Sequence, residues 1–197
     1  METNLDKQSS IMSQRINTIF GLYESLGHQE YIGEPVSILE HSLQTAHLAE
    51  KSNYDDEVVL AAFFHDIGHL LRDENNMTDY GNIRHEIVGS EYLLQNGFSE
   101  KIASLVKNHV QAKRYLTFYK PDYYEKLSEA SKQTLILQGG KMTEEEASEF
   151  VKNEYFELSL KMRFWDEAAK DDTLNLDSLI PVFQDMAQKH LLNSVQY

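Results

Sequence analysis

The chain contains no cysteine. That excludes a disulfide scaffold, thiolate zinc sites, iron–sulfur clusters and a thiol nucleophile. Any metal must then be held by nitrogen and oxygen, a donor set suited to iron, manganese, zinc or magnesium. Proline is scarce, 3 in 197 residues, and glycine numbers 9, so long helical windows run uninterrupted. Positive charge is in short supply: 18 Lys and Arg face 32 Asp and Glu, for a formal net charge of −14. Nucleic acid and anionic membranes both require a basic face, so neither is expected as a partner. A small anionic substrate needs only a few convergent basic groups and stays open. No apolar run approaches the roughly 20 residues needed to span a bilayer. The opening METNLDKQSS lacks the apolar core and cleavage site of a signal peptide. The expectation is a cytoplasmic protein forming one domain over residues 1–197, with no obligate protein partner.

Apolar residues recur at helical spacing and almost nowhere alternate with a period of two. Ile11 to Leu26 carries a stripe ended by Gly27, and Tyr31-Ile32-Gly33-Glu34-Pro35 breaks it into a loop. Helices are predicted over Ser37 to about Lys51 and from Asp55-Asp56-Glu57 to near Leu71, followed by a polar loop from Arg72 to Asn82. A helix carrying His85 and another capped by Ser99 and carrying His109 come next. Others are predicted over Pro121–Lys126, Ser128–Leu137, Thr143–Asn153, Glu154–Lys170 and Leu176–Leu192. The fold class is all-α.

His65-Asp66-Ile67-Gly68-His69 places an imidazole and a carboxylate at the end of the apolar run Val58 to Phe64. Neither group belongs in such surroundings without a charged partner, and a metal ion is the commonest one. A buried His–Asp hydrogen bond is the simpler alternative. His41 upstream, His85 and His109 downstream and Asp166 near the end add nitrogen and oxygen donors. His69 lies one helical turn after His65 and can ligate or stand at a pocket rim. His28 and His190 sit in polar sequence and read as exposed, His47 as non-ligating, Trp165 as core or pocket wall. Glu40 is either an acceptor for an imidazole N–H or a helix-surface acid.

His41, then His65-Asp66, then Asp166 resembles the H…HD…D signature of the HD-domain superfamily, a set of helical metalloproteins that includes many phosphohydrolases. The resemblance implies a helical bundle in which His41, His65, Asp66 and Asp166 bind one metal. His85 and His109 match the extra histidines of dinuclear members, with Asp66 bridging. The segment from Tyr31 through Glu34, Glu40-His41 and Gln44 is similar to that of PhnZ-type oxygenases, the organophosphonate-degrading branch related to myo-inositol oxygenase. That resemblance, over roughly residues 31–170, implies a mixed-valent Fe(II)/Fe(III) pair with O2 as co-substrate. It also implies a mobile lid in which Tyr31 guards an iron and Glu34 meets a substrate amine.

In the same pattern Lys113, Ser131, Thr134, Gln138 and Arg163 match phosphonate-binding positions, two cations and several polar groups suited to a tetrahedral dianion. His69 is assigned to proton handling. The implied substrate is a small zwitterionic hydroxyphosphonate, 2-amino-1-hydroxyethylphosphonate or its trimethylammonium form, oxidised to phosphate and glycine or glycine betaine. The alternatives are a metal-dependent phosphohydrolase using the same metals to activate water and a non-catalytic scaffold of the same fold.

Overall fold

Short polar side chains open five of the ten described helices by satisfying backbone N–H groups that have no intrahelical partner. Ser37 and Thr143 form capping boxes with Glu40 and Glu146, while Asp55, Ser99 and Ser128 accept from the backbone N–H of Val58, Ile102 and Ser131. Glu40 is thereby accounted for: its side chain accepts from the Ser37 N–H at 2.7 Å and serves the helix start rather than an imidazole.

The computed structural model describes residues 4–29, 31, 33–71, 77–78, 81–82 and 84–194. Among these the helices are α1 (Asn4–Leu26), α2 (Ile38–Lys51), α3 (Asp56–Phe64), α4 (His85–Gln95), α5 (Glu100–Tyr119), α6 (Pro121–Lys126), α7 (Glu129–Leu137), α8 (Glu144–Phe150), α9 (Phe156–Ala168) and α10 (Ile180–Ser194), with short 3-10 turns at Ile67–His69 and Asp177–Leu179. Among the described residues a two-residue antiparallel contact, β1 (Met77–Thr78) with β2 (Gly81–Asn82), is the one paired-strand element. The rest of the loop predicted over Arg72 to Asn82 lies outside the described residues. The protein is all-α, as its periodicity predicts, and no helix among the described residues is long and apolar enough to cross a membrane.

The central layer consists of α2, α3, α5 and α9, with α4 laid along α5 and α1 along α10. The α3 helix is apolar on every side, Val58 through Phe64 all being buried, as expected of a helix wrapped by neighbours. Phe63 sits in an aromatic cluster, 5.3 Å from Phe20, 4.8 Å from Tyr23, 5.1 Å from Phe64 and 5.5 Å from Phe183 between ring centroids. This cluster joins α1, α3 and α10 beneath the residues that follow Phe64. A second apolar cluster, around Tyr115, Leu116, Leu135 and Phe150, seats α6, α7 and α8 against the far end of α5.

The third helix is shorter than its apolar sequence predicts. It ends at Phe64 rather than near Leu71, and Asp66 leaves the helical region with φ −104 and ψ 10. His65 and Asp66 therefore do not share an α-helical spiral, and His69 lies on a 3-10 turn. His190 is half-buried rather than exposed, stacked on Phe98 at 5.6 Å and accepting from the Ser99 N–H at 3.2 Å.

Replacing Phe63 with Ala empties the centre of the aromatic cluster. A loss of about 3–5 kcal/mol in unfolding free energy is expected, measurable by urea denaturation of the metal-free protein. A loss below about 1 kcal/mol, the scale of ordinary surface substitutions, contradicts a load-sharing role for the cluster.

Candidate metal centre and anion pocket

Local folding fixes which imidazole nitrogen faces inward. His65 Nδ1 lies 2.8 Å from the Ala62 carbonyl, His109 Nδ1 2.6 Å from that of Val106, and His41 Nδ1 2.9 Å from that of Ala169. A carbonyl only accepts, so each Nδ1 carries the proton and each Nε2 is left as a lone pair. Those lone pairs converge. His41 and His65 Nε2 are 3.1 Å apart, and so are His85 and His109 Nε2. Lone pairs aimed at one another in a buried site require a cation between them.

Asp66 stands between the two histidine pairs. Its Oδ2 is 3.7 Å from His41 Nε2 and 3.4 Å from His65 Nε2; its Oδ1 is 3.3 Å from His85 Nε2 and 3.5 Å from His109 Nε2. Asp166 closes the first group, with Oδ1 3.3 Å from His41 Nε2 and Oδ2 3.9 Å from His65 Nε2. Donor atoms bonded at about 2.1 Å to one ion stand about 3 Å from each other, so the spacing suits two ions sharing Asp66. The donor set of imidazole nitrogens and carboxylate oxygens, without thiolate, fits iron as the resemblance implies.

His41, His65 and Asp166 form one group able to hold a metal, and Asp66, His69 and His85 form another. His69 thus joins His85 as a potential donor; its ring stacks on His85 at 4.0 Å. Burial pulls both His65 and His69 towards the neutral form, but Asp66 and Asp166 reverse this at His65 and push it up to about 9. At His69 burial wins, reinforced by the charge of His85, and pulls it down to about 3. Burial also works against ionisation of Asp66 and Asp166; the histidines, and for Asp166 first Arg163, hold both well below the usual carboxylate range.

Tyr31 covers this cluster. Its hydroxyl donates to Asp66 Oδ2 at 2.6 Å and its ring stacks on His41 at 4.9 Å. The turn that carries it needs glycine: Gly33 has φ 77, and a Cβ there would come within 3.0 Å of the Ala130 Cβ on α7. Glu34 does not project as an isolated acceptor for a substrate amine. Its Oε1 is 2.5 Å from Lys170 Nζ and accepts from Ser128 Oγ, also at 2.5 Å. Sequence reasoning singled out neither partner; the one available signal was Lys170 lying four residues after Asp166.

The remaining expected residues line α5, α7 and α9. Lys113 Nζ donates to Thr134 Oγ1 at 2.9 Å, and Ser131 lies one turn before Thr134. Burial, then the charge of Arg163, brings Lys113 down to about 7. Arg163 Nη1 donates to Asp166 Oδ2 at 2.6 Å, and its Nε to Glu167 Oε1 at 2.8 Å and to the Tyr123 hydroxyl at 3.1 Å. Its Nη2 and the Gln138 Oε1 are buried without a hydrogen-bond partner. The unpartnered Arg163 N–H, on the same side-chain cluster as Lys113, offers a donor to a bound anion.

The Asp66 turn has no room to move. A Cβ at Gly68 would stand 2.0 Å from the carbonyl oxygen of His85, so this glycine lets α4 press His85 against the cluster.

Residues 38–149 match the family described as HD domain. An uncharacterized protein of Acanthamoeba polyphaga mimivirus is 45% identical over 160 residues, 80% of this chain and 73% of its own. The 1-hydroxy-2-(trimethylamino)ethylphosphonate dioxygenase (glycine-betaine-forming) of Leisingera caerulea is 39% identical over 181 residues, covering 89% of this chain and 92% of its own. The hydroxymethylphosphonate dioxygenase of Gimesia maris is 37% identical over 174 residues, 87% and 86% of the two chains.

If Asp66 serves both ions, Asp66→Ala should lose both on desalting, whereas Gly68→Ala should release chiefly the ion nearest His85. Elemental analysis reads both outcomes, and an Asp66→Ala protein that keeps a full metal complement refutes the shared ligand.

Proposed function

The chain belongs to the HD domain family, and on that premise we propose that it is a non-haem di-iron oxygenase that cleaves the C–P bond of a 1-hydroxyalkylphosphonate. The observation that carries this reading is the pairing of one carboxylate, faced on each oxygen by a histidine pair, with a buried cationic pocket containing an unpartnered guanidinium N–H. A scaffold needs neither. Relatives named for hydroxymethylphosphonate and for 1-hydroxy-2-(trimethylamino)ethylphosphonate, at 37% and 39% identity, support it further.

In this assignment His41, His65 and Asp166 hold one iron, His85 and His109 the other, and Asp66 both; His69 is a neutral base beside the second. The metals, when bound, supply the capacity to react with O2 that no amino-acid side chain has. The chain's own residues bind and orient. Lys113, Ser131, Thr134, Gln138 and Arg163 take the phosphonate oxygens, with Arg163 Nη2 and Lys113 neutralising its two charges. The Tyr31 hydroxyl must release Asp66 Oδ2 before a substrate hydroxyl can approach that oxygen. Burial keeps this phenol protonated, its ionisation pushed well above the ordinary tyrosine range, so it leaves as a neutral group. His69, also neutral, is placed to accept a hydrogen bond and assist in proton handling beside the second metal.

The overall change balances without an external reductant. The carbon bearing the hydroxyl gives up its bond to phosphorus and a C–H, ends as a carboxylate, and phosphorus gains an oxygen to become phosphate. One O2 is consumed for each phosphate released.

The test is phosphate release by iron-loaded protein with and without oxygen. Release that needs oxygen, with equal oxygen uptake, is expected; equal release under argon would mean hydrolysis. Arg163→Ala should raise KM by about 10–100-fold, the worth of a charged hydrogen bond, in protein shown by elemental analysis to retain its metal. An unchanged KM removes Arg163 from the anion pocket.

A further inference from the structure

Lys170 is a cation near the site that the phosphonate does not use in this assignment, and it is firmly held. On one side of it, the Ala169 carbonyl accepts from His41 Nδ1 at 2.9 Å. On the other, Asp171 exchanges two hydrogen bonds with the Gln44 side chain, at 3.0 and 2.8 Å. The ammonium so positioned meets Glu34 Oε1 at 2.5 Å and Ser128 Oγ at 3.3 Å. The Glu34 side chain is only 6% exposed and that of Lys170 18%, so the pair is sheltered from the water that weakens surface ion pairs.

Glu34 is tied in turn to the covering tyrosine, its N–H donating to the Tyr31 carbonyl at 2.8 Å. The carboxylate of the turn that follows Tyr31 therefore already carries a resident counter-charge. A cationic substrate head directed at Glu34 would meet an ammonium on the same carboxylate, at a distance where like charges repel strongly. A substrate without that head leaves the pair intact.

We propose that Lys170 is a built-in counter-ion that fills the place of a substrate cation at Glu34, so that the site selects 1-hydroxyalkylphosphonates lacking a positively charged head. This rests on the phosphonate-oxygenase reading and adds a specificity-determining residue to it. Lys170 touches neither the reacting carbon nor the phosphonate; it acts through Glu34.

The experiment compares kcat/KM of iron-loaded protein for hydroxymethylphosphonate, 2-amino-1-hydroxyethylphosphonate and its trimethylammonium analogue. It is run on the natural chain, on Lys170→Met, and on the neutral pair Glu34→Gln with Lys170→Met. Thermal shifts produced by each compound under argon give a readout independent of turnover. The natural chain should favour hydroxymethylphosphonate by at least about tenfold. Lys170→Met should raise the ratio of aminated to hydroxymethyl substrate at least about tenfold, because Glu34 is then free to take the amine. The neutral pair, which avoids leaving a buried unpaired carboxylate, should raise the ratio less. A natural chain that prefers either aminated compound, or a ratio that neither variant moves, overturns the role of Lys170 while leaving the oxygenase intact. Oxygen-independent release, or none from any of the three compounds, overturns the oxygenase reading itself; equal thermal shifts from all three would then reject the head-group selection as well.

Discussion

Everything in the centre of this protein depends on lone pairs that have been aimed at one another. Three histidines spend their Nδ1 protons on backbone carbonyls, at Ala62, Val106 and Ala169, and so present basic Nε2 atoms to a space also entered by two carboxylates. In the folded chain alone that arrangement is electrostatically unfinished. The upward push on His65, towards about 9, is the same demand expressed through a proton: the cluster takes up whichever cation is offered. The surrounding aromatic core must hold the donors in place against their mutual repulsion. The fully buried rings of Phe20, Tyr23, Phe63 and Phe64 supply that support behind the residue pair that ends α3.

The break after Phe64 makes a shared ligand possible. On a continuing helix, His65 and Asp66 would point about 100° apart. By leaving the helical region at Asp66, the chain turns one carboxylate so that each oxygen meets a different histidine pair, and the following 3-10 turn brings Gly68 under the His85 carbonyl with no space for a side chain. The helix end, the glycine and the position of α4 form a single device.

Much of this was legible in the sequence, and the boundary of legibility has a physical basis. Helices, caps and the donor set follow from local rules: Ser99 and Ser128 caps, the acidic start at Asp55, the absence of thiols. Apolar periodicity extends α3 to Leu71 because it reports burial, and Ile67 and Leu70 are buried; no local signal announces that Asp66 leaves the helix to face two histidine pairs. The role of Glu34 was carried from a resemblance, whereas its engagement by Lys170 depends on a contact across 136 positions of chain, which no periodicity can reveal. Ser128 was legible as a helix start, but not as a donor to Glu34, because one hydroxyl does both.

Arg163 shows how the metal site and the anion pocket constrain each other. Its Nη1 is spent on Asp166 Oδ2, a donor of the metal cluster, while its Nη2 is buried and unpartnered. One rigid planar group thus touches both halves of the site, and its fork fixes the direction from which an anion can be received. On the proposed assignment, a metal at Asp166 would share the carboxylate's charge with the guanidinium and leave Arg163 less neutralised and more attractive to a dianion. An anion on Nη2 would in turn draw the guanidinium towards itself and away from Asp166. Each occupancy would then favour the other through the same three atoms, and a chain of net charge −14 would hold a phosphonate through an attraction that is local and buried.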